Sequence, residues 1–411
     1  MTSKSSITRL QFCNFKLNTL LEITNAINAN LATEELLLRF EQLLIKKLNI
    51  GKLLIYANLT GWKIISKAGL DKEEKIEIDV TKHLLEITEI TTTFSIKNEV
   101  FSGFDFIIPV FHNSSPLAYV LIGDVEEEKE GVSPTIKHIS FIQTLTNFIF
   151  VAIENKKLVE DSLRQESFKK EMELASDMQQ MLIPNSNKFP ENNFFEIETF
   201  YLPHYEVGGD YYDFAFLNEE EFFFCIADVS GKGISAALLM SNFQASVRAY
   251  LHTGIRLSEL LEKLNIRVIE STQGEKFITF FVAKYNFIKR ELTYINAGHN
   301  APILYDKKKK TVEYLNIGCP GPGMLDKMPP VEEGIVRIKN NSKIICYTDG
   351  LAELEKENDG ITETGVKALE RNVTNILSVK NNFDSLKKEF HLEKSNPILF
   401  DDITILGIEF F

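Results

Sequence analysis

Cysteine is scarce in this sequence, with four among 411 residues and no Cys-X-X-Cys spacing. A disulfide framework is typical of small secreted chains that are dense in cysteine, and a structural zinc site requires closely spaced cysteines. Both patterns are absent, so we expect reduced thiols and exclude a fold held together by disulfides or zinc. The four scattered residues are Cys13, Cys225, Cys319 and Cys346.

The sequence also lacks an excess of basic residues and any long apolar run. Its net charge of −13 argues against nucleic acid or an anionic membrane as the main partner. The most apolar segment, Ile139 to Ile153, is interrupted by polar residues and is shorter than the ~20 residues of a membrane span. No signal-peptide pattern is visible from Met1 to Leu10. We therefore expect a cytoplasmic protein that binds neither nucleic acid nor a membrane.

A length of 411 residues favours more than one domain, and residues 15–155 have a pattern of their own. Apolar residues from Leu17 to Ile27 repeat at helical spacing, and a second helical stretch covers Leu36 to Leu48. Pro134 is expected to open a long helix that continues past Leu158. Between the helices, strands are predicted at Lys52–Asn58, Trp62–Lys67, Phe104–Phe111 and Ala118–Val125.

This order of helix, hairpin, variable segment, hairpin and closing helix resembles a GAF-type sensory domain over residues 15–155. The resemblance is architectural, and it implies an α/β sensor with an unknown ligand or signalling partner. The cyclic-nucleotide signature of some GAF domains is absent. His112 and His138 are isolated, which favours a structural role over haem or chromophore binding.

Residues 156–184 are predicted to form a helical linker, because they are charged and contain no glycine or proline before Pro184. Apolar residues recur along the linker, but no strict heptad is sustained. Two interpretations remain open, a plain connecting helix and a dimerising signalling helix. We favour the second, and with it a homodimer, because the linker joins a sensor-like domain to the acidic site described next. The apolar residues are Leu158, Leu163, Phe168, Met172, Ala175, Met178 and Leu182.

Residues 185–411 are rich in strand-like segments with short turns, and their helices come in pairs. This pattern predicts an α+β sandwich in which helices cover antiparallel sheets. The predicted strands are Phe194–Leu202, Tyr211–Leu217, Phe222–Val229, Thr279–Tyr285, Glu291–Ala297, Ala301–Tyr305, Val331–Ile338, Ile344–Thr348 and Ile403–Phe410. The predicted helices are Ile234–Leu251, Leu257–Ser271, Gly365–Val379 and Asn382–His391.

One predicted hairpin ends in two facing carboxylates. If its turn centres near Glu219, Tyr212 lies opposite Ile226, and the next pair along the ladder is Asp210 opposite Asp228. Like charges directly opposite each other are destabilising. Either one carboxyl group takes up a proton through a raised pKa, or a cation lies between them. We favour the cation, because oxygen ligands are those that Mg²⁺ and Mn²⁺ prefer.

Two further acidic sites also lie at the ends of predicted strands. Asp349 follows the strand that ends at Thr348, and Asp401 and Asp402 precede the last strand. Taken singly, Asp349 is equally well explained as a helix cap, and Asp401-Asp402 as a solvated turn. Strand ends that are far apart in sequence can meet at one edge of a sandwich, so a single carboxylate-rich cleft is the prediction.

Five ordered strings carry a second, more specific resemblance: VGGDYYDF, ADVSGKGISAALLMS, NAGHNAPILY, YTDGLAE and FDDITIL. They resemble the metal-dependent type 2C protein phosphatases, in particular the bacterial SpoIIE/RsbU branch, over about residues 175–411. The resemblance implies an αββα sandwich, two divalent metal ions (Mn²⁺ or Mg²⁺), and hydrolysis of phosphoserine or phosphothreonine on a protein. Two such ions can activate a water molecule for attack on a phosphoryl group.

The resemblance also implies the roles of individual residues. Asp210 and Asp228 act in catalysis through metal-activated water, and both hold the metal pair, with Asp228 bridging the two ions. The backbone carbonyl of Val229 is a further ligand. Asp349 and Asp401 complete the set, and Asp402 ranks below Asp401 because relatives vary there between Asp and Asn. Asn296, Gly298 and His299 are expected to be structural, and His204 is not required.

The resulting hypothesis is a signal-regulated serine/threonine phosphatase. Substrates in this branch are often phosphorylated antagonists of anti-sigma factors, which are small STAS-type proteins. The alternative is a catalytically silent scaffold that uses the phosphatase fold for docking. Loss of metal-binding aspartates would favour that alternative, and none is lost in this sequence.

Overall fold

A computed structural model describes residues 2–58, 61–70, 78–96, 98–112, 114–125, 139–184, 194–252, 254–358, 361–393 and 399–411. The chain divides into two compact units, Met1–Glu166 and Ser167–Phe411. No described helix is long and apolar enough to cross a membrane.

The first unit is built around a five-stranded antiparallel sheet with the strand order β2-β1-β5-β4-β3. Its strands are β1 (Ile50–Asn58), β2 (Trp62–Ala68), β3 (Thr91–Thr92), β4 (Phe106–His112) and β5 (Ser115–Val125). Its helices are α1 (Thr2–Asn28), α2 (Thr33–Gln42) with a π-helical turn at Leu43–Lys47, α3 (Val80–His83), α4 (Thr93–Ile96) with a 3₁₀ turn at Glu99–Phe101, and α5 (Ile139–Gln180), which continues into the second unit.

Both faces of this sheet are buried. One face packs against α1, α2 and α5, where Phe40, Leu145 and Ile149 are buried. The opposite face packs against the segments between β2 and β4, including Leu84 and Phe101. The four predicted strands are confirmed, and β3, only two residues long, was missed. The predicted helix start at Pro134 lies outside the described residues.

The long helix α5 is explained by composition, because its 42 residues contain no glycine or proline. The predicted linker therefore lies largely within one continuous helix, which ends at Gln180, shortly before Pro184. The expected end signals Asn185 and Pro190 lie outside the described residues.

The second unit contains two larger sheets and one short hairpin. The strands are β6 (Phe195–Leu202), β7 (Tyr211–Phe216), β8 (Glu221–Val229), β9 (Ile278–Asn286), β10 (Glu291–Ala297), β11 (Ile303–Asp306), β12 (Thr311–Tyr314), β13 (Gly318–Cys319), β14 (Gly334–Arg337), β15 (Ser342–Tyr347), β16 (Glu355–Asn358), β17 (Ile361–Thr364) and β18 (Ile403–Phe410). The helices are α6 (Ile234–Tyr250), α7 (Leu257–Thr272), α8 (Asp349–Ala352), α9 (Gly365–Val373) and α10 (Val379–Glu389).

The two larger sheets face each other across one apolar core. The first has the order β13-β10-β9-β8-β7, with β14 also paired to β10, and the second has the order β12-β11-β15-β18-β6. Their inner faces meet in a core that contains Phe224 and Phe281 from one sheet and Leu406 and Phe410 from the other, and α6 and α7 pack on the outer face of the first sheet. Helices α9 and α10 cover the second sheet. The predicted αββα layering is therefore observed.

The register of the β7–β8 hairpin matches the prediction. Phe216 pairs with Phe222, Phe214 with Phe224, and Tyr212 with Ile226. The ladder ends at Tyr211 opposite Ala227, so Asp210 lies one residue beyond the last pair.

The last two predicted helices have different bounds in the structure. Helix α9 ends at Val373 and not at Val379. The backbone carbonyl groups beyond this point turn toward the buried ammonium group of Lys343. That group donates hydrogen bonds to the carbonyl oxygens of Val373, Asn375 and Leu377. The following helix begins earlier than predicted, because the Ser378 side chain caps it by accepting from the Asn381 N–H.

Candidate metal centre

Antiparallel pairing brings the acidic strand ends together in pairs. Because β7 and β8 are antiparallel, the start of β7, which follows Asp210, lies beside the end of β8, which carries Asp228. Strands β15 and β18 are also antiparallel, with Tyr347 opposite Ile405. The end of β15, which precedes Asp349, therefore lies beside the start of β18, which follows Asp402.

Asp210 joins the two pairs of strand ends. Its Oδ2 atom accepts hydrogen bonds from the hydroxyl of Thr348 at 2.9 Å and from the hydroxyl of Thr404 at 2.5 Å. The Thr348 hydroxyl also accepts from the Thr404 N–H at 2.9 Å. A carboxylate of the first sheet is thus held by two residues of the second, and Asp210 is only 1% exposed.

Asp402 is held as firmly by backbone groups. Its Oδ1 accepts from the His204 N–H at 2.7 Å, and its Oδ2 accepts from the Gly209 N–H at 2.6 Å. A Cβ on Gly208 would come within 2.7 Å of Asp402 Oδ2, so glycine is required for this close approach. We call Asp210 and Asp402 the deep half of the centre, because both are buried and hydrogen-bonded to the protein.

Asp228, Asp349 and Asp401 are only half-buried, and we call them the open half. Asp228 and Asp349 share a side-chain hydrogen bond, which requires a proton on one of the two carboxyl groups. The Asp401 carboxylate forms an ion pair with the ammonium group of Lys232 at 2.9 Å. A shared proton and a lysine therefore offset two of the three negative charges of the open half.

The carboxyl groups raise one another's pKa. Burial, followed by the charges of Asp349 and Asp401, raises the pKa of Asp228 to about 8. Burial, and then the charges of Asp228 and Asp402, raises the pKa of Asp210 well above its usual range. The pKa values of Asp349 and Asp402 are also raised, chiefly by burial. A cluster of this kind has a strong electrostatic preference for cations.

The donor set fits hard divalent cations in its chemistry, since it consists of five carboxylates and a nearby backbone carbonyl. The Val229 carbonyl oxygen lies 3.2 Å from the position that a Cβ on Gly209 would take, beside the segment Gly208–Asp210, which we call the acidic loop. Within the described ranges, no three His, Cys, Asp or Glu side chains already stand in an arrangement that could hold a metal ion. A cation in the open half would compete with the Lys232 ammonium group for Asp401.

The NAGHN segment makes hydrogen bonds within the fold. The Asn296 Oδ1 accepts from the His299 N–H at 2.8 Å, and the Asn296 amide donates to the Leu315 carbonyl at 3.1 Å. His299 is buried with its Nδ1 atom 2.9 Å from the Thr279 hydroxyl, and burial lowers its pKa to about 4. Gly298 has a φ of 68°. His204 contributes its backbone N–H to Asp402, a role that does not depend on its imidazole ring.

Several residues of the centre were not identified from the sequence. Thr348 and Thr404 lie inside the strings YTDGLAE and FDDITIL, beside the aspartates, so their position could have identified them. Lys232 lies inside ADVSGKG and could have been found in the same way. Gln179 contacts the acidic loop from the end of α5, and no sequence signal marked it.

The family model described as Stage II sporulation protein E (SpoIIE) matches residues 218–411. Phosphoserine phosphatase RsbU of Bacillus subtilis is 30% identical over 246 residues, which cover 59% of this chain and 70% of that protein. Phosphoserine phosphatase RsbP of the same organism is 24% identical over 190 residues, which cover 45% of this chain and 46% of that protein, so less than half of its length is matched.

Among solved structures, the SiaA-PP2C domain of Pseudomonas aeruginosa is similar with a TM-score of 0.50 and 18% identity. The similarity covers 60% of this chain and 99% of that domain, so it identifies the fold of the second unit as that of the PP2C phosphatases. This chain is related to RsbU, and its acidic strand ends gather at one edge of that fold. It therefore belongs to the SpoIIE family of metal-dependent serine phosphatases.

Proposed function

We propose that this protein is a signal-regulated serine/threonine protein phosphatase that uses two divalent cations, Mn²⁺ or Mg²⁺. Asp210, Asp228, Asp349, Asp401 and the Val229 carbonyl hold the cations in this proposal, and Asp402 contributes at the deep end. The substrate is a phosphoserine or phosphothreonine side chain on a partner protein.

One observation carries the proposal: five aspartates from four distant strand ends are close enough to couple electrostatically. The charge of Asp228 raises the pKa of Asp210, and the charges of Asp349 and Asp401 raise the pKa of Asp228. A carboxylate that interacts with aspartates of both halves suits a ligand that two cations share. The hydrogen bonds to Asp210 and Asp402 and the single ion pair of Lys232 leave the repulsion among the five carboxyl groups only partly offset, which a bound cation would relieve.

The chain's own residues orient the centre. Two divalent cations, when bound, lower the pKa of water and neutralise charge on the phosphoryl oxygens. The hydroxyl groups of Thr348 and Thr404 fix the orientation of Asp210, and the backbone N–H of Gly209 fixes Asp402. Such outer contacts set the direction and basicity of metal-binding carboxylates. The partly exposed carboxylates of the open half leave that part of the centre accessible to a phosphorylated side chain.

We extend the proposal to the partner. The relatives RsbU and RsbP are named phosphoserine phosphatases, which supports a phosphorylated protein as the substrate. A small STAS-type antagonist of an anti-sigma factor is the partner that the sequence resemblance to the SpoIIE/RsbU branch favours.

We also propose that the first unit is a GAF-like sensor and that the chain is a homodimer. The five-stranded antiparallel sheet with helices on one face supports the first part. A groove of about 790 Å³, lined by residues such as Phe94, Asn98 and Phe104, offers space for a ligand or signalling partner. Exposed apolar side chains along α5, including Leu158 (51%) and Leu163 (61%), support the dimer.

The activity is tested by hydrolysis of a phosphoserine peptide by the full-length chain with Mn²⁺, with a chelator, and as the Asp228→Asn variant. We expect phosphate release that requires Mn²⁺ and falls by at least about a hundredfold in the variant, since even outer contacts of metal ligands contribute ~10–100-fold. Asp326→Asn, at an exposed aspartate that is not among the candidate ligands, is the matched control and should retain full activity. No release at any Mn²⁺ concentration would favour the alternative, a catalytically silent scaffold.

A further inference from the structure

The last turn of α5 makes a two-point contact with the acidic loop. The Gln179 amide Nε2 donates to the Gly208 carbonyl oxygen at 2.8 Å, and the Gly208 N–H donates to Gln179 Oε1 at 3.0 Å. Gln179 is 6% exposed, so both hydrogen bonds form in a buried environment. One primary amide therefore satisfies both backbone groups of a single glycine.

Gly208 begins the segment that positions the deep half. The next residue, Gly209, donates its N–H to Asp402, and the residue after that is Asp210. The Tyr201 hydroxyl oxygen packs closely against Gly208, because a Cβ at this position would lie 2.3 Å from it. The loop is thus hydrogen-bonded to Gln179 and Asp402 and packs against Tyr201.

Gln179 itself is firmly placed. The chain after it continues in helical turns, with the Leu182 N–H donating to the Gln179 carbonyl at 2.9 Å. Ile183 is buried in the core of the second unit, and the Leu182 carbonyl accepts from the Gln244 amide on α6 at 3.4 Å. The position of the Gln179 amide is therefore set by the anchored end of α5.

We propose that Gln179 is a positioning residue for the metal centre. Through this residue, the end of the linker helix holds the backbone that leads from Gly208 to Asp210. The inference rests on the proposed function, since it concerns the same centre. Gln179 touches neither the substrate nor the cations; it fixes the path of the backbone from Gly208 to Asp210. Its loss therefore weakens cation binding through the misplacement of Asp210 and Asp402.

The test compares three variants of the full-length chain. Gln179→Met keeps the length of the side chain and removes both hydrogen bonds. Gln179→Glu keeps an acceptor for the Gly208 N–H and loses the donor to the Gly208 carbonyl. Gln180→Met makes the same chemical change at the adjacent, exposed glutamine and is the matched control. For each variant, the Kd for Mn²⁺ is measured by calorimetry, together with metal-free thermal unfolding and the KM and kcat for a phosphoserine peptide.

We expect the Kd for Mn²⁺ to rise about tenfold in Gln179→Met, the size expected for two hydrogen bonds with a net contribution of ~0.5–1.5 kcal/mol each. The Mn²⁺ concentration for half-maximal activity should rise in parallel, while the peptide KM at saturating Mn²⁺ stays within twofold. Gln180→Met should match the wild type. If Gln179→Met does not fold, Gln179→Glu carries the test, with an expected rise of at least about threefold.

An unchanged Kd for Mn²⁺ in a folded Gln179 variant would overturn the inference. A lower metal-free melting temperature with an unchanged Kd would also overturn it, because such a residue only supports the fold. A wild-type chain that binds Mn²⁺ and hydrolyses the peptide, with Gln179 variants that behave identically, would overturn this inference alone. A wild-type chain that binds no Mn²⁺ would overturn the proposed function together with it.

Discussion

The two halves of the acidic centre contain the same side chain but are held in opposite ways. In the deep half, the carboxylates of Asp210 and Asp402 accept hydrogen bonds from hydroxyl groups and backbone N–H groups. In the open half, Asp228 and Asp349 hydrogen-bond to each other, and Asp401 pairs with Lys232. The difference indicates that the fold builds the deep half in advance and leaves the open half to be completed by cations.

The largest expected effect comes from removing a deep carboxylate. Asp402→Ala leaves the N–H groups of Gly209 and His204 without their acceptor, which should lower the free energy of unfolding by about 2 kcal/mol, since a lost hydrogen bond to a charged group costs ~1.5–3 kcal/mol. Removing a buried charge, and with it the repulsion from Asp401, offsets part of this loss. Urea unfolding without metal measures it, with Asp326→Ala as the control. A variant as stable as the wild type would contradict the distinction between the halves.

The second effect concerns the support of Asp210. Thr404→Val removes a hydroxyl donor to Asp210 with almost no change in shape, so the Kd for Mn²⁺ should rise about tenfold, the lower range for an outer contact. Calorimetry measures the Kd, and Thr362→Val, at an exposed position on β17, is the matched control. Equal Mn²⁺ binding by both variants would show that the threonine does not orient the carboxylate.

The third effect is a pH dependence that belongs to the open half. The pKa of Asp228 is raised to about 8 in the folded chain, so the folded state holds a proton that the unfolded state loses near pH 4. This contribution to metal-free stability is fully present below about pH 4 and is lost as the pH rises through about 8. Between pH 7 and 8 the loss should approach about 1 kcal/mol.

Unfolding experiments at these two pH values, without metal, measure that loss. Asp228→Asn removes the titrating group and should flatten the dependence, and Mn²⁺ binding to the wild type should tighten over the same interval because the cation replaces the proton. If the free energy of unfolding depends on pH as strongly in Asp228→Asn as in the wild type, the proton belongs to another group.

The smallest effect is expected at Lys232. Its ammonium group competes with a cation for Asp401, but the lysine side chain is 41% exposed, so the pair contributes no more than about 1 kcal/mol. Lys232→Met should therefore tighten Mn²⁺ binding by up to about fivefold at low ionic strength, and the difference should vanish in 1 M salt. Lys327→Met, at an exposed lysine elsewhere in this unit, is the control. Weaker Mn²⁺ binding by Lys232→Met would mean that the lysine assists the centre.

The parts of this centre that follow from local pattern were predictable from the sequence. The β7–β8 register follows from alternating aromatic residues around one polar turn, and it placed Asp210 near Asp228 correctly. The positions of Asp349 and Asp402 at strand ends were also visible. The contacts that join the two sheets could not be predicted from the sequence. Asp210 and Thr404, for example, are 194 residues apart, and no local pattern relates them.

The burial of individual polar side chains could not be predicted from the sequence either. Lys343 is 0% exposed and donates to three backbone carbonyls and the Asn382 side chain, although it looks like the polar start of a strand. The β16–β17 hairpin was missed because its first strand, Glu355–Asn358, is charged and reads as a solvated loop. These features depend on the tertiary neighbours of a residue, which hydrophobic periodicity does not encode.

The most direct test of a cation centre with Asp228 at its middle is the number of Mn²⁺ ions bound per chain, measured by calorimetry near pH 8 on the full-length wild type and Asp228→Asn. We expect two ions per wild-type chain, and loss of both at the same concentrations in Asp228→Asn, because its carboxylate couples to acidic neighbours in both halves. A wild type that binds no Mn²⁺, or an Asp228→Asn variant that binds two ions with unchanged affinity, would contradict the centre described above.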